Sequence, residues 1–214
     1  MHRLTSAFVL GFHGCDQDMG DRLLAGTPFK PSNNEYDWLG PGIYFWESNP
    51  TRGLEFAHEA SRRRGSGVKK PFVIGAVIEL GLCLDLTTSS ALEWIRIAYD
   101  SLSQVTRAAG LPLPRNSPDE LRRNLDCAVI RRLHTILEAE GMPPIDTIKG
   151  VFTEGKPLYP GSGLRAKTHI QIAVRNPSCI KGVFRVNADM RNDALSPTRS
   201  ASTGPCCRRT SRYR

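Results

Sequence analysis

Phe72-Val73-Ile74-Gly75-Ala76-Val77-Ile78-Glu79-Leu80 is rich in β-branched side chains and bounded by Pro71 and Gly81, the pattern of a strand covered on both faces. Such a strand needs partners, and the chain supplies them far away in sequence. Ala7 to Phe12 is apolar and bounded by Gly11 and Gly14, and reads as the first strand of the domain. Near the other end, His169-Ile170-Gln171-Ile172-Ala173-Val174 alternates, and Cys179-Ile180-Lys181-Gly182-Val183-Phe184-Arg185-Val186 follows after the turn signal Asn176-Pro177. These two read as paired strands, with Ile148 to Thr153 as a further candidate.

Helical patterning fills the middle. Ser90 to Ala109 places Leu92, Ile95, Ala98 or Tyr99, and Leu102 on one face, with Ser89 or Ser90 as N-cap. Ser117-Pro118-Asp119-Glu120 has the Ser, Pro and first-turn acids of a helix start, and Gly141 suits its C′ position. The order of strands, helices and strands, with no internal repeat, predicts an α+β domain over 1–190 with a helical insertion at about 89–145.

Charge and cysteines narrow the function classes. The formal charge is +8 over 214 residues, but residues 191–214 hold six arginines against one acid, so five of the eight charges belong to the end of the chain. That Arg/Ser-rich segment has few apolar residues to offset its ordering entropy and reads as a disordered tail. The body is only about +3, so the basicity that would suggest nucleic acid belongs mostly to the tail, which adds at most a weak, salt-sensitive attraction to a polyanion. Cys15, Cys83, Cys127, Cys179, Cys206 and Cys207 form no Cys-x-x-Cys pair and no zinc spacing, so no metal is expected and a reduced, cytoplasmic chain fits. The longest apolar stretch, Phe72 to Leu86, is interrupted by Glu79 and Asp85, whereas a spanning helix needs about 20 apolar residues. No membrane role is expected, and Met1 to His13 lacks the pattern of a signal peptide.

Two short motifs concentrate the chemistry. Phe12-His13-Gly14-Cys15 puts a hydrogen-bonding ring beside a bare backbone, and Trp38-Leu39-Gly40-Pro41-Gly42-Ile43-Tyr44-Phe45-Trp46-Glu47 sets Tyr44 just past a tight glycine loop. A flat ligand could slide over such a ring, while His13 and the Gly14 backbone hold a ribose and an amide. A phosphate-binding reading of Gly40-Pro41-Gly42 fails, because neither Gly-x-Gly-x-x-Gly nor a Walker Lys-Ser/Thr follows.

The residues "FHG" at 12–14, "LGPGIYFWESNP" at 39–50, "EFA" at 55–57 and "VIGAVIEL" at 73–80 together resemble the ADP-ribosyltransferase superfamily of the poly(ADP-ribose) polymerase and diphtheria-toxin type. The resemblance implies a split, mostly antiparallel sheet and NAD+ as substrate. It implies that His13 contacts the nicotinamide ribose, that Gly14 binds the carboxamide through its main chain, that Tyr44 stacks on nicotinamide, and that Phe56 covers the other face. The family's third residue is a Glu on a late strand, and Gln171 stands at the matching place here. Gln cannot stabilise a developing cation as a carboxylate does, so the expected activity is transfer of a single ADP-ribose to a protein or nucleic-acid acceptor. NAD+ hydrolysis and a catalytically inactive NAD/ADP-ribose-binding module are the alternatives. His13, Tyr44 and Gln171 are thus the expected catalytic set.

The resemblance also implies that the loop before the Gln171 strand meets the acceptor, which makes Tyr159 and Arg165 substrate-recognition candidates. Glu35, Asp37 and Glu47 flank the cleft as candidate replacements for the missing acid, with surface solvation the preferred reading of each. A helix-packing role outweighs a site role for Asp126, and Arg62-Arg63-Arg64 with Lys69-Lys70 reads as a solvated basic loop. Small domains of this kind resemble bacterial toxins or defence effectors, for which an antitoxin or immunity partner is expected.

Overall fold

The computed structural model describes residues 8–119 and 121–187, together with the backbone of 2–3. The Arg/Ser-rich segment 191–214, with Cys206 and Cys207, lies outside the described residues. The elements run β1 (His2–Arg3), β2 (Phe8–Asp16), α1 (Gln17–Leu24), β3 (Ile43–Glu47), α2 (Pro50–Ser61), β4 (Pro71–Glu79), β5 (Leu82–Asp85), α3 (Ser89–Ala108), α4 (Asn124–Ala139), β6 (Thr147–Phe152), β7 (His169–Val174) and β8 (Ile180–Arg185). They form an α+β fold around one sheet of order β1-β5-β6-β7-β3-β2-β4-β8. The pairing is antiparallel throughout except for β5 with β6.

The buried run around Ile74 pairs with β2 along nine residues, from Phe8↔Glu79 to Asp16↔Pro71. β7 lies between β3 and β6, and β8 pairs with β4 at the far edge. The expected pairing of β7 with β8 is therefore corrected. Asn176-Pro177 opens a 3-10 turn, with Asn176 Oδ1 accepting from Ser178 N, and this turn carries the chain to the other edge of the sheet.

The two helices of the insertion start elsewhere than their caps suggested. Thr88, not Ser89 or Ser90, caps α3 through its hydroxyl. The inward face of α3 is set by Ala91 and Ala98, with Ile95 and Leu102 partly buried and Leu92 exposed. The Ser117 hydroxyl accepts from Arg122 N instead of starting a helix, and Asp119 accepts from Leu121 N. These side chains close a local turn, so α4 begins at Asn124 and Leu121 stays exposed. Asn116 supplies the missing cap from outside, its Oδ1 accepting from Leu125 N and Asp126 N. At the other end Gly141 has φ +63°, as its C′ position requires.

Between β2 and β3 the sheet is nearly split. Only Gly11↔Glu47 and Phe12↔Trp46 pair across this junction, with Ser48 N donating to Leu10 O at 2.8 Å. On one face, α2 covers β2 and β4, with Leu54 packed on Phe12, Val73 and Val186. On that same face α3 and α4 cover β5 to β7, where Ala98, Ile130 and Leu133 meet Leu84, Ile148 and Ala173. The opposite face joins the two halves in a second cluster, where Ile43, Phe45 and Ile172 meet Ala76 and Ile78. The helices thus leave a trough above β3, where the sheet forks.

Candidate functional site

Backbone phase dictates what the fork exposes. Gln17 N donates to Lys70 O at 2.8 Å, and hydrogen-bonded pairs recur every second residue along an antiparallel ladder. Cys15, His13 and Gly11 therefore bond toward β4, whereas Gly14, Phe12 and Leu10 direct N–H and C=O toward β3. The β2–β3 register would next pair Gly14 with Tyr44, and that pair is not made. The Gly14 peptide groups point at the place where β3 peels away.

His13 bridges the same gap. Its Nδ1 lies 2.9 Å from Tyr44 O, and because a carbonyl only accepts, Nδ1 carries the proton and Nε2 is left as an acceptor. Burial pushes the His13 pKa down, opposed by that backbone bond, so the ring is neutral at physiological pH. Phe29 and Phe45 hold it edge-on and tilted, with ring centroids 5.5 Å and 5.6 Å away.

Tyr44 is fixed at both ends. Its hydroxyl donates to Gly40 O at 2.8 Å and accepts from Leu39 N at 3.0 Å. Burial first, then the Asp37 charge, raises its pKa well above the usual phenol value. Gly40 has φ +74°, and a Cβ there would lie 2.6 Å from Ile130 Cγ2, which explains the glycine. Gly42 has another reason: a Cβ there would come within 3.0 Å of Val174 O on β7. Gly14 is likewise a close approach, since its Cβ would lie 2.0 Å from Gly53 O of α2.

These residues surround a cavity of about 420 Å³ whose lining includes His13, Gly14, Tyr44, Phe56 and Gln171. The five come from β2, β3, α2 and β7 and were all singled out by sequence. Phe56 packs on Trp46 at 4.8 Å between ring centroids, so its ring partner is the neighbouring indole. Gln171 faces Trp46 across β3–β7 and Gly150 across β6–β7. Its Oε1 accepts from Trp38 Nε1 at 2.6 Å.

Tyr159 and Arg165 are not among the lining residues. They sit on the exposed loop between β6 and β7, where Arg165 Nη1 donates to Gly155 O and Tyr159 is 59% exposed. Of the candidate acids, Asp37 lines the cavity, but its carboxylate already accepts from Ser32 Oγ and Asn34 N. Glu47 is paired with Lys149 at 2.8 Å, and Glu35 is exposed outside the lining. Asp126 accepts from Asn116 Nδ2 next to the cap of α4.

The structure adds a charged end to the cavity. Arg52, only 6% exposed, pairs with Glu154 at 3.0 Å and Glu59 at 3.4 Å, and Lys167 joins Glu59 at 2.7 Å. A buried guanidinium is tolerable only when paired in this way. Burial works to raise the Glu59 pKa, but the bond from Lys167 and the charge of Arg52 outweigh it and hold it below the usual range. Arg63, from the basic loop, stacks over Phe56 at 5.6 Å and reaches the lining. Trp38, Trp46, Arg52, Glu59 and Glu154 were not legible as site residues. The one available signal was that Trp38 and Trp46 flank the Tyr44 motif.

Among the described residues, no group of three or more His, Cys, Asp or Glu is arranged to hold a metal ion. None of their helices is long and apolar enough to cross a membrane. Cys15, Cys83, Cys127 and Cys179 are free and buried.

The chain is similar to an uncharacterized protein of Methanocaldococcus jannaschii, 25% identical over 189 aligned residues that cover 79% of this chain and 83% of the relative. No protein-family model matches the chain. No solved structure matches it.

Proposed function

We propose that the chain is an ADP-ribosyltransferase-like domain that binds NAD+ in the forked trough and moves one ADP-ribose to a macromolecular acceptor. The observation that carries the reading is the convergence of His13, Gly14, Tyr44, Phe56 and Gln171, from four separate elements, on one cavity. In this reading the carboxamide bonds to the Gly14 peptide groups, and nicotinamide lies against the Tyr44 ring. The neutral His13 accepts from a ribose hydroxyl at Nε2. The split sheet of the family is read in the two-pair junction of β2 and β3.

The chemistry would be dissociative. The C1′–N1 bond breaks with its electron pair leaving on nicotinamide, positive charge spreads over C1′ and the ring oxygen, and the acceptor closes on C1′. NAD+ is the substrate, and no metal enters the scheme. Incubation of the full chain with labelled NAD+ and cell lysate tests it. Label in protein or nucleic acid is the expected result, whereas release of free ADP-ribose alone means hydrolysis. Free ADP-ribose alone overturns transfer, the absence of both products overturns any activity on NAD+, and retained NAD+ binding would then leave a binding module.

A further inference from the structure

Gln171 stands where a carboxylate was expected, and the side chain that faces it decides what it offers. Trp38 Nε1 is a donor only, so the amide atom 2.6 Å from it is the oxygen. The opposite end of the amide, Nε2, makes no hydrogen bond among the described residues, and Gln171 lines the cavity. Trp38 is itself held in place. A Cβ on Gly150 would lie 2.7 Å from its ring, Phe152 packs at 5.2 Å, and Arg123 stacks over it at 5.3 Å. The indole therefore cannot turn away to let the amide flip without losing this packing.

We propose that Trp38 is a positioning residue that fixes Gln171 with its donor end toward the cavity, so that the site selects an oxyanion, a carboxylate or phosphate oxygen, as the acceptor of ADP-ribose. A donor cannot take a proton from an incoming nucleophile. The carboxylates that line the cavity are already engaged: Asp37 by Ser32 and Asn34, Glu59 and Glu154 by Arg52 and Lys167. An amine, guanidinium, alcohol or water would have to lose a proton, and the neutral imidazole of the lining, His13 Nε2, is taken up by the ribose hydroxyl in the NAD+ reading. An oxyanion has none to lose. One lone pair forms the C1′–O bond as the C1′–N1 pair leaves on nicotinamide, and a second accepts from Gln171 Nε2. Its negative charge also faces the developing cation, which a neutral amide cannot stabilise.

The inference rests on the NAD+ reading, and its test separates the two. NAD+ binding to the full chain is read first, by quenching of indole fluorescence. Nicotinamide release is then measured with acetate, inorganic phosphate, agmatine or methylamine added. Acetate or phosphate should accelerate release over buffer and the two amines should not, and comparing the two anions tells which oxyanion is preferred. Trp38→Phe keeps the ring but drops the bond, and should lower the acetate-to-agmatine ratio about three- to tenfold, the scale of one net hydrogen bond. Gln171→Glu, which turns a carboxylate oxygen toward the cavity, should shift preference toward the amines even if Trp38→Phe folds poorly. Absence of NAD+ binding overturns the underlying reading and the proposal with it. NAD+ binding with release favoured by the amines, with release unmoved by any acceptor, or with a ratio unchanged in both variants, overturns the proposal alone.

Discussion

Tyr44 shows how one side chain can serve two demands. Its ring lines the cavity, while its hydroxyl closes the Gly40 loop through Gly40 O and Leu39 N. Tyr44→Phe should therefore keep the stacking surface but cost about 1 to 3 kcal/mol of stability, because a buried carbonyl and amide lose their partner. Urea unfolding of the two proteins checks this, and equal midpoints would contradict it. Tyr44 and His13 were legible because each sits in a contiguous motif with a local glycine. Trp38 and Arg52 were not, because their roles come from partners 133 and 102 residues away. Nothing local in the sequence marks such pairings.

At the scale of elements, hydrophobic periodicity found β2, β4, β6, β7, β8 and both long helices, but not who neighbours whom. Alternation in His169–Val174 states that a strand has two unlike faces; it does not say that β3 and β6 will flank it. Cap residues misled for a similar reason. Ser117 and Asp119 satisfy each other in a turn, and the orphan amides of α4 go to Asn116 instead. The packing of α2 on β2 was also hidden, although Gly14 and Gly53 are what permit it. Gly14→Ala would drive a Cβ into Gly53 O and push away the helix that carries Arg52, Phe56 and Glu59. The expected loss is about 1 to 3 kcal/mol, as for other overpacked contacts, together with weaker NAD+ binding. Thermal unfolding and NAD+ titration of this variant read both effects, and wild-type values in both would contradict the account.

Across the whole molecule, the two halves of the sheet share one core and leave one fork, so the walls of the cavity and the stability of the fold rest on the same burial. His13, His134 and His169 all have pKa values lowered chiefly by burial, His134 to about 4 with Arg175 and Arg131 adding to the effect. As pH falls below about 6.5 the unfolded chain takes up these protons before the folded one does. Stability contributed by neutral burial is therefore complete above that value and is lost on acidification toward the folded pKa values. His134 alone should give a slope of about 1.4 kcal/mol per pH unit between the two limits. Urea midpoints at pH 7.5 and pH 5 measure the loss, and equal midpoints would contradict it.

The claim that the fork holds NAD+ is tested most directly by calorimetric titration of the full chain with NAD+, in parallel with His13→Ala and Tyr44→Ala. The account predicts saturable binding to the wild type, weakened about 10- to 100-fold by Tyr44→Ala, the range for losing one stacking surface, and weakened by His13→Ala as well. Both variants should keep a cooperative unfolding transition. No binding by the wild type, or unchanged affinity in folded variants, would contradict it.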